Sequence, residues 1–292
     1  MKKIVVLIFF RLVVALGLLT GGGFRAFGQH VHLFAGAASQ QQGSQLIVVN
    51  RASYDINSNG GITPECFFMS DGDPLYPNLY SSDATFAALP ATLDTGGPAP
   101  NCAAQGAYLV AQIISVTGPE GGKIDFWQEN VDATATTKVF SIPVGTTNSI
   151  NRFNISEGVV SPTYGPDPFG HIHGRRFAAN IPGLYTVGFQ LFDTSTSGFN
   201  GGPIHTPSIT NYFYFQAGFH ANSMLFTTNT ATFGFGVRPF KNIDLEICTN
   251  LVNPNWIRVV TYIGNAHSHL QHLADPAAVT PSRFYRLREY AQ

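Results

Sequence analysis

Charge is scarce in this chain. Lys and Arg number 16 and Asp and Glu 17 among 292 residues, for a net charge of −1. No basic stripe forms from so few cations, which argues against nucleic acid as a partner. Cysteine is scarce too, at three, too few for a disulfide framework. Helical periodicity is almost absent. So are the Gly-x-Ser-x-Gly elbow, the phosphate-binding loop and His-Glu-x-x-His. The carboxylates Asp125, Glu129 and Asp193 show no pairing suited to glycosidic cleavage. Ser70-Asp71-Gly72-Asp73-Pro74 lacks the full calcium-loop pattern and reads as a turn. No catalytic residue is identified, so binding rather than catalysis is expected.

What the chain has is aromatic and turn-forming residues: 24 Phe, 30 Gly and 18 Pro. Short strands joined by Gly/Pro turns account for that mixture. The clearest strand is Gly183 to Asp193, where Tyr185, Val187, Phe189 and Leu191 share one face. Further strands are expected at Gln45–Asn50, Ala107–Thr117, Lys123–Gln128, Lys138–Val144 and Thr210–Gln216. Others follow at Met224–Thr228, Thr232–Val237, Leu245–Cys248, Trp256–Tyr262 and Arg283–Leu287. The implied class is all-β, a sandwich or jelly-roll over 29–220 followed by a small C-terminal β module over 221–292. Ser53 to Asn101, rich in Gly, Pro, Asp and Ser, reads as long surface loops.

Residues 1–28 read as a signal peptide, with Lys2 and Lys3 ahead of two apolar runs and a small-residue zone at Gly21-Gly22-Gly23. Cleavage after Ala26-Phe27-Gly28 leaves Gln29 first, and cleavage one residue later leaves His30 first. Export to the cell surface, the periplasm or the medium follows, with no membrane span after cleavage. In that oxidising setting Cys66 and Cys102 can close a loop worth about 3–4 kcal/mol, leaving Cys248 as a buried thiol. All three remaining free is the other reading.

Two histidine pairs carry the chemistry: His30-Val31-His32 and His171-Ile172-His173. On a strand, residues i and i+2 face the same side, so each pair aims two imidazoles at one point. Four nitrogens suit Zn(II) or Cu(II), and His205 is a candidate substitute from a loop. An exposed polar edge strand explains the same pattern without a metal. Arg175 shares a face with His171 and His173 and suits a carboxylate or phosphate there. His267, His269 and His272 form a third cluster, read as a loop.

From His30 to about Phe215 the order of features resembles a bacterial surface-anchored β-domain family of actinobacterial and verrucomicrobial exported proteins. The matching stretches are Gln29-His30-Val31-His32, then Gly118-Pro119-Glu120-Gly121 ahead of Phe126-Trp127. His171-Ile172-His173 and Pro182-Gly183-Leu184-Tyr185 complete the pattern. The family's opening Asp is His32 here, and Arg175-Arg176-Phe177 replaces its Trp after His-x-His. Family members often sit beside metal-uptake systems, which implies a metal link. The last ~50 residues, from Thr249-Asn250-Leu251 to Arg283-Phe284-Tyr285-Arg286, resemble a C-terminal β module of exported planctomycete and verrucomicrobial proteins, which implies no catalytic residues. Cupins also carry His-x-His on a strand, but Gly174 to Asn180 lack the acid that follows it there.

The expected function is therefore an exported binding protein whose partner is a transition metal held by His30, His32, His171, His173 and His205. The alternative is adhesion to a surface glycan or protein through aromatics such as Trp127 and Tyr185, with incidental histidines. A third possibility is a copper redox enzyme using a mature N-terminal His30, as in polysaccharide monooxygenases.

Overall fold

A computed structural model describes residues 32–57, 64–82, 84–89, 100–130, 134–156, 174–278 and 283–292. The signal-peptide segment, His30, His171 and His173 lie outside the described residues. The first twelve strands are β1 (His32–Ala37), β2 (Leu46–Val48), β3 (Phe67–Met69), β4 (Tyr80–Ser82), β5 (Thr85–Ala88), β6 (Leu109–Thr117), β7 (Lys123–Glu129), β8 (Thr136–Pro143), β9 (Arg152–Asn154), β10 (Arg175–Ala179), β11 (Gly183–Asp193) and β12 (Asn211–Ala217). One helical turn, α1 (Arg51–Tyr54), interrupts them. They form three sheets, ordered β2-β1-β5, β4-β10-β7-β8 and β3-β12-β11-β6-β9. The fold is all-β and sandwich-like.

Aromatic side chains join the sheets. Phe177 of the four-stranded sheet meets Phe189 and Phe215 of the five-stranded one at 5.6 and 5.5 Å between ring centroids. Phe86 carries the small sheet onto the same core, 5.0 Å from Phe189. The alternation in β11 supplies the rest: Tyr185, Val187, Phe189 and Leu191 are all fully buried. Edge-to-face and offset rings add about 0.5–1.5 kcal/mol per pair beyond area burial. A phenylalanine-rich core therefore stabilises strands that have little charge to pair.

Two turn motifs interlock around Tyr185. Its hydroxyl donates to the Ile181 carbonyl at 2.8 Å, tying the strand to the loop before it. The turn from Gly118 to Gly122 lies across the ring, and a Cβ on Gly118 would stand 2.7 Å from Tyr185 Cδ1. In return, Gly183 has φ +135, and a Cβ there would stand 2.7 Å from Pro119 Cγ. Glycine is thus required on both sides of the contact, for space and for backbone conformation.

The segment expected to be surface loops is a correction. Ser53 to Asn101 contains β3, β4 and β5, and all four residues of β5 are buried. Strands of three or four residues are too short to display alternation, and burial on both faces erases it. The Cys66–Cys102 bridge is a second correction: all three cysteines are free and buried. Cys102 Sγ instead accepts from the Gln40 amide at 2.8 Å. Burial pushes the Cys66 thiol up to about 12, so it carries almost no thiolate at neutral pH. Iodoacetamide at about pH 8 is expected to leave the native thiols unmodified until denaturant is added. A cross-linked 66–102 peptide in non-reducing mass spectra would contradict this.

The remaining strands are β13 (Ala221–Phe226), β14 (Ala231–Val237), β15 (Lys241–Cys248), β16 (Ile257–Tyr262), β17 (His269–Asp275) and β18 (Phe284–Ala291). They form two sheets, β13-β14-β17 and β16-β15-β18, around their own core of Phe233, Phe235, Val237, Ile243, Leu245 and Leu273. Two acids, Asp244 and Glu246, alternate with that core on β15 and are also buried. Arg288 and Arg286 of β18 bond them at 2.8 and 2.6 Å, and Thr261 donates to Asp244 at 2.6 Å. Buried carboxylates persist because they are paired. The histidines expected on a loop are a third correction: His269 and His272 sit on β17. Three residues apart on a strand, they point to opposite faces.

Candidate functional site

The first described histidine, His32, opens β1 and is half-buried, its ring edge-on to Phe34 at 5.8 Å. Asn50 secures the backbone there. Its amide donates to the His32 carbonyl at 2.8 Å, and its side-chain oxygen accepts from the Phe34 N–H at 3.0 Å. One side chain thereby continues the ladder that β2 leaves off. His32 lies opposite Thr85 in the parallel β1–β5 register.

The start of β10 lies at the same end of the sandwich. Ser82, at the end of β4, is paired with Phe177 of β10, and Thr85, paired with His32, follows three residues later. Three residues span at most about 11 Å. A second route connects the same places. Leu33 is paired with Phe86, whose ring is 5.9 Å from Phe153, and the Arg175 guanidinium lies 5.9 Å over the Phe153 ring. His171 and His173 immediately precede Gly174 and Arg175 in the chain.

A buried polar cluster underlies that approach. Gly174 takes φ +73, and its carbonyl accepts from the Glu129 N–H at 2.6 Å. Arg175 and Arg176 diverge to opposite faces, as neighbours on a strand must. Arg176 Nε donates to Glu129 Oε1 at 2.8 Å, and the Tyr76 hydroxyl donates to the same oxygen at 3.0 Å. Tyr76 is fully buried. Burial first, and then its bond to Glu129, raise its hydroxyl far above the ordinary tyrosine range, so it remains a donor. Tyr76 also stands edge-on to Trp127 at 5.6 Å, with Lys138 5.9 Å over the indole. Sequence reasoning missed this cluster because no spacing signal links residues 76, 129 and 176.

His205 is elsewhere and otherwise engaged. Its Nε2 accepts from the Ala104 N–H at 2.8 Å, which leaves the proton on Nδ1 to donate to the Ser44 carbonyl at 3.1 Å. Both nitrogens are committed to backbone. Ser44 and Leu46 lie beside the far end of β1, since Leu46 is paired with Ala37. A six-residue strand separates its ends by about 17 Å, so His205 and His32 do not converge. His205 is held there by Asp193, whose carboxylate also fixes Tyr108, Ser195 and Ile204 through their N–H groups. Tyr185 is a core residue and offers no stacking face to a glycan.

His267 stands 3.4 Å from Glu65, while His269 bonds Tyr262 and the His267 carbonyl. Among the described residues no group of three His, Cys, Asp or Glu side chains is arranged to hold a metal. Nor is any helix among them long and apolar enough to cross a membrane. A scan against protein-family models matches none along this chain, and comparison with the curated proteins returns no relative.

Proposed function

We propose that the protein is an exported binding protein that takes up Zn(II) or Cu(II) through strand-borne imidazoles at the end of the sandwich where β1 and β10 begin. The observation that carries this reading is the common location of those two strand starts, reached both through Ser82–Thr85 and through the Phe86–Phe153–Arg175 stack. His32 is the described donor at that end. His30, His171 and His173 are the donors it would join, and neutral imidazoles suit either metal. His205 is not part of this set, because a metal on either nitrogen would break a backbone hydrogen bond. Arg176 and Glu129 neutralise each other beneath the strand start and leave the imidazoles as the metal-binding chemistry.

Titration calorimetry on protein purified without a histidine tag tests the reading. His171→Ala and His173→Ala are each expected to weaken metal binding at least about tenfold, with His32→Ala similar. His205→Ala is expected to leave affinity unchanged while lowering stability. Protons compete for imidazole around its unperturbed pKa of ~6.5, so affinity falls between about pH 7.5 and 5.5. Binding no tighter than about 100 µM, or equal binding by the His171/His173 double variant, would turn preference to adhesion.

A further inference from the structure

Among the described residues the two C-terminal sheets are closed on one flank and open on the other. β16 and β17 lie against each other, whereas β13 and β18 are the outer strands of their sheets, β13 touching the main sandwich only at β11 among the described elements with several contacts. Between β13 and β18 runs a cleft of about 230 Å³ lined by Phe219, Met224, Phe233, Tyr285 and Leu287, with His220 and Arg286 among its polar members. The strand beside it is apolar and turned to solvent: Met224, Leu225 and Phe226 are 64%, 63% and 60% exposed. From Ala221 to Val237 there is no Lys, Arg, Asp, Glu or Pro. Edge strands usually carry one of these to block pairing with another chain, and this one carries none.

The hairpin defines which backbone groups point outward. The Thr227 N–H donates to the Thr230 carbonyl, and Phe226, Leu225 and Met224 stand opposite Ala231, Thr232 and Phe233. Antiparallel pairs alternate between hydrogen-bonded and non-hydrogen-bonded. Leu225 therefore bonds toward β14, while Met224 and Phe226 turn their N–H and C=O groups to the open side. Their side chains share the inner face, where the Phe226 ring lies 6.0 Å from Phe233 and 6.3 Å from Tyr285. Leu225 is on the other face.

We propose that β13 pairs antiparallel with β13 of a second copy of this chain, about a two-fold axis through Leu225. In that register Met224 of each copy opposes Phe226 of the other, and each such pair exchanges both N–H···O=C bonds. Leu225 opposes Leu225 in the intervening non-hydrogen-bonded pair. The two three-stranded sheets become one continuous sheet, and Met224 of one copy covers the aromatic cleft edge of the other. Charge favours a second copy as the occupant. An uncharged strand meets its own copy without like-charge repulsion, whereas an acidic peptide finds beside it only Arg286, already bonded to Glu246 at 2.6 Å.

Sedimentation equilibrium on the full exported chain at about 1–50 µM is expected to show a dimer. Leu225→Lys, which opposes two ammonium groups across the axis, should yield a monomer. Leu225 is exposed, so the substitution spares the core. Leu225→Cys should cross-link to itself under mild oxidation, because opposed Cα atoms at ~4.5 Å fall within disulfide range. Ile257→Cys, on β16 and similarly exposed at 58%, should not cross-link. A wild-type monomer up to about 100 µM, a dimer indifferent to Leu225→Lys, or Leu225→Cys cross-linking no faster than Ile257→Cys would each overturn the proposal. A monomer that floats with phosphatidylcholine vesicles would assign the edge to a membrane instead and overturn it equally.

Discussion

Tyr185→Ala is expected to cost about 3–5 kcal/mol in urea unfolding, the range for removing a fully buried aromatic side chain. The cost should lie at the upper end, because the emptied space is walled by glycines. Gly118 and Gly122 have no side chains to move in, and their turn backbone is positioned by the ring itself. Tyr185→Phe separates the two contributions. It keeps the ring and removes only the hydroxyl donor to Ile181, a net loss of about 0.5–1.5 kcal/mol. Gly118→Ala should mimic the large loss from the opposite direction, since its Cβ would overlap the ring. A Tyr185→Ala loss below about 0.5 kcal/mol would mean that the ring is not a keystone of the two turns.

Tyr185 also marks how far the sequence alone can be read. The Pro-Gly-x-Tyr segment and the alternation after it are legible because an eleven-residue strand repeats one buried face several times. That the Gly118–Gly122 turn rests on this tyrosine is not legible, because the two motifs are far apart in the chain and their contact is tertiary. The same distinction separates the other successes from the failures. β6, β7, β14 and β15, at seven to nine residues, are long enough to read as strands between turns, whereas β3, β4 and β5, at three or four, are not. β5 is buried on both faces, so even a longer version would read as an apolar run.

At the candidate site, the strand-borne character of His32 was readable from its spacing to His30. The fate of His205 was not: its hydrogen-bond partners, Ala104 and Ser44, are 101 and 161 residues away. A lone histidine in a Gly/Pro loop looks alike whether it serves a metal or the backbone. The cysteines illustrate the same limit, since loop-rich sequence around Cys66 and Cys102 says nothing about whether their Cβ vectors meet. Cys248 is buried as expected, but the β15 alternation sets it on the face of Asp244 and Glu246 and not with Ile243 and Leu245, so its burial too depends on the fold. The neutral run through β13 was visible as composition, but its position at a sheet edge required the topology.

Asp193→Ala is expected to cost at least about 3 kcal/mol, because each buried backbone donor left without its acceptor costs about 1–3 kcal/mol. The carboxylate Oδ1 accepts from Tyr108 at 3.0 Å and Ser195 at 2.9 Å, and Oδ2 accepts from Ile204 at 2.9 Å and His205 at 3.1 Å. Alanine leaves those four N–H groups without their acceptor and frees the loop that carries His205 to Ala104. Burial by itself would raise this carboxyl's pKa, but the backbone donors, Tyr108 foremost, outweigh burial and hold it below the ordinary aspartate value. A depressed folded-state pKa means that the unfolded chain binds the proton more readily. The contribution is therefore fully present above the unfolded value of ~3.9 and is lost as pH falls through the folded one. Asp244 and Asp275 are depressed in the same way, so the wild-type protein should lose stability on acidification through several groups. Subtracting the Asp193→Asn curve from the wild-type curve isolates one of them. The difference should be constant near neutrality and shrink below about pH 4, because asparagine keeps one acceptor oxygen but does not titrate. A difference that stays constant to about pH 2 would show that Asp193 does not carry its charge into this network.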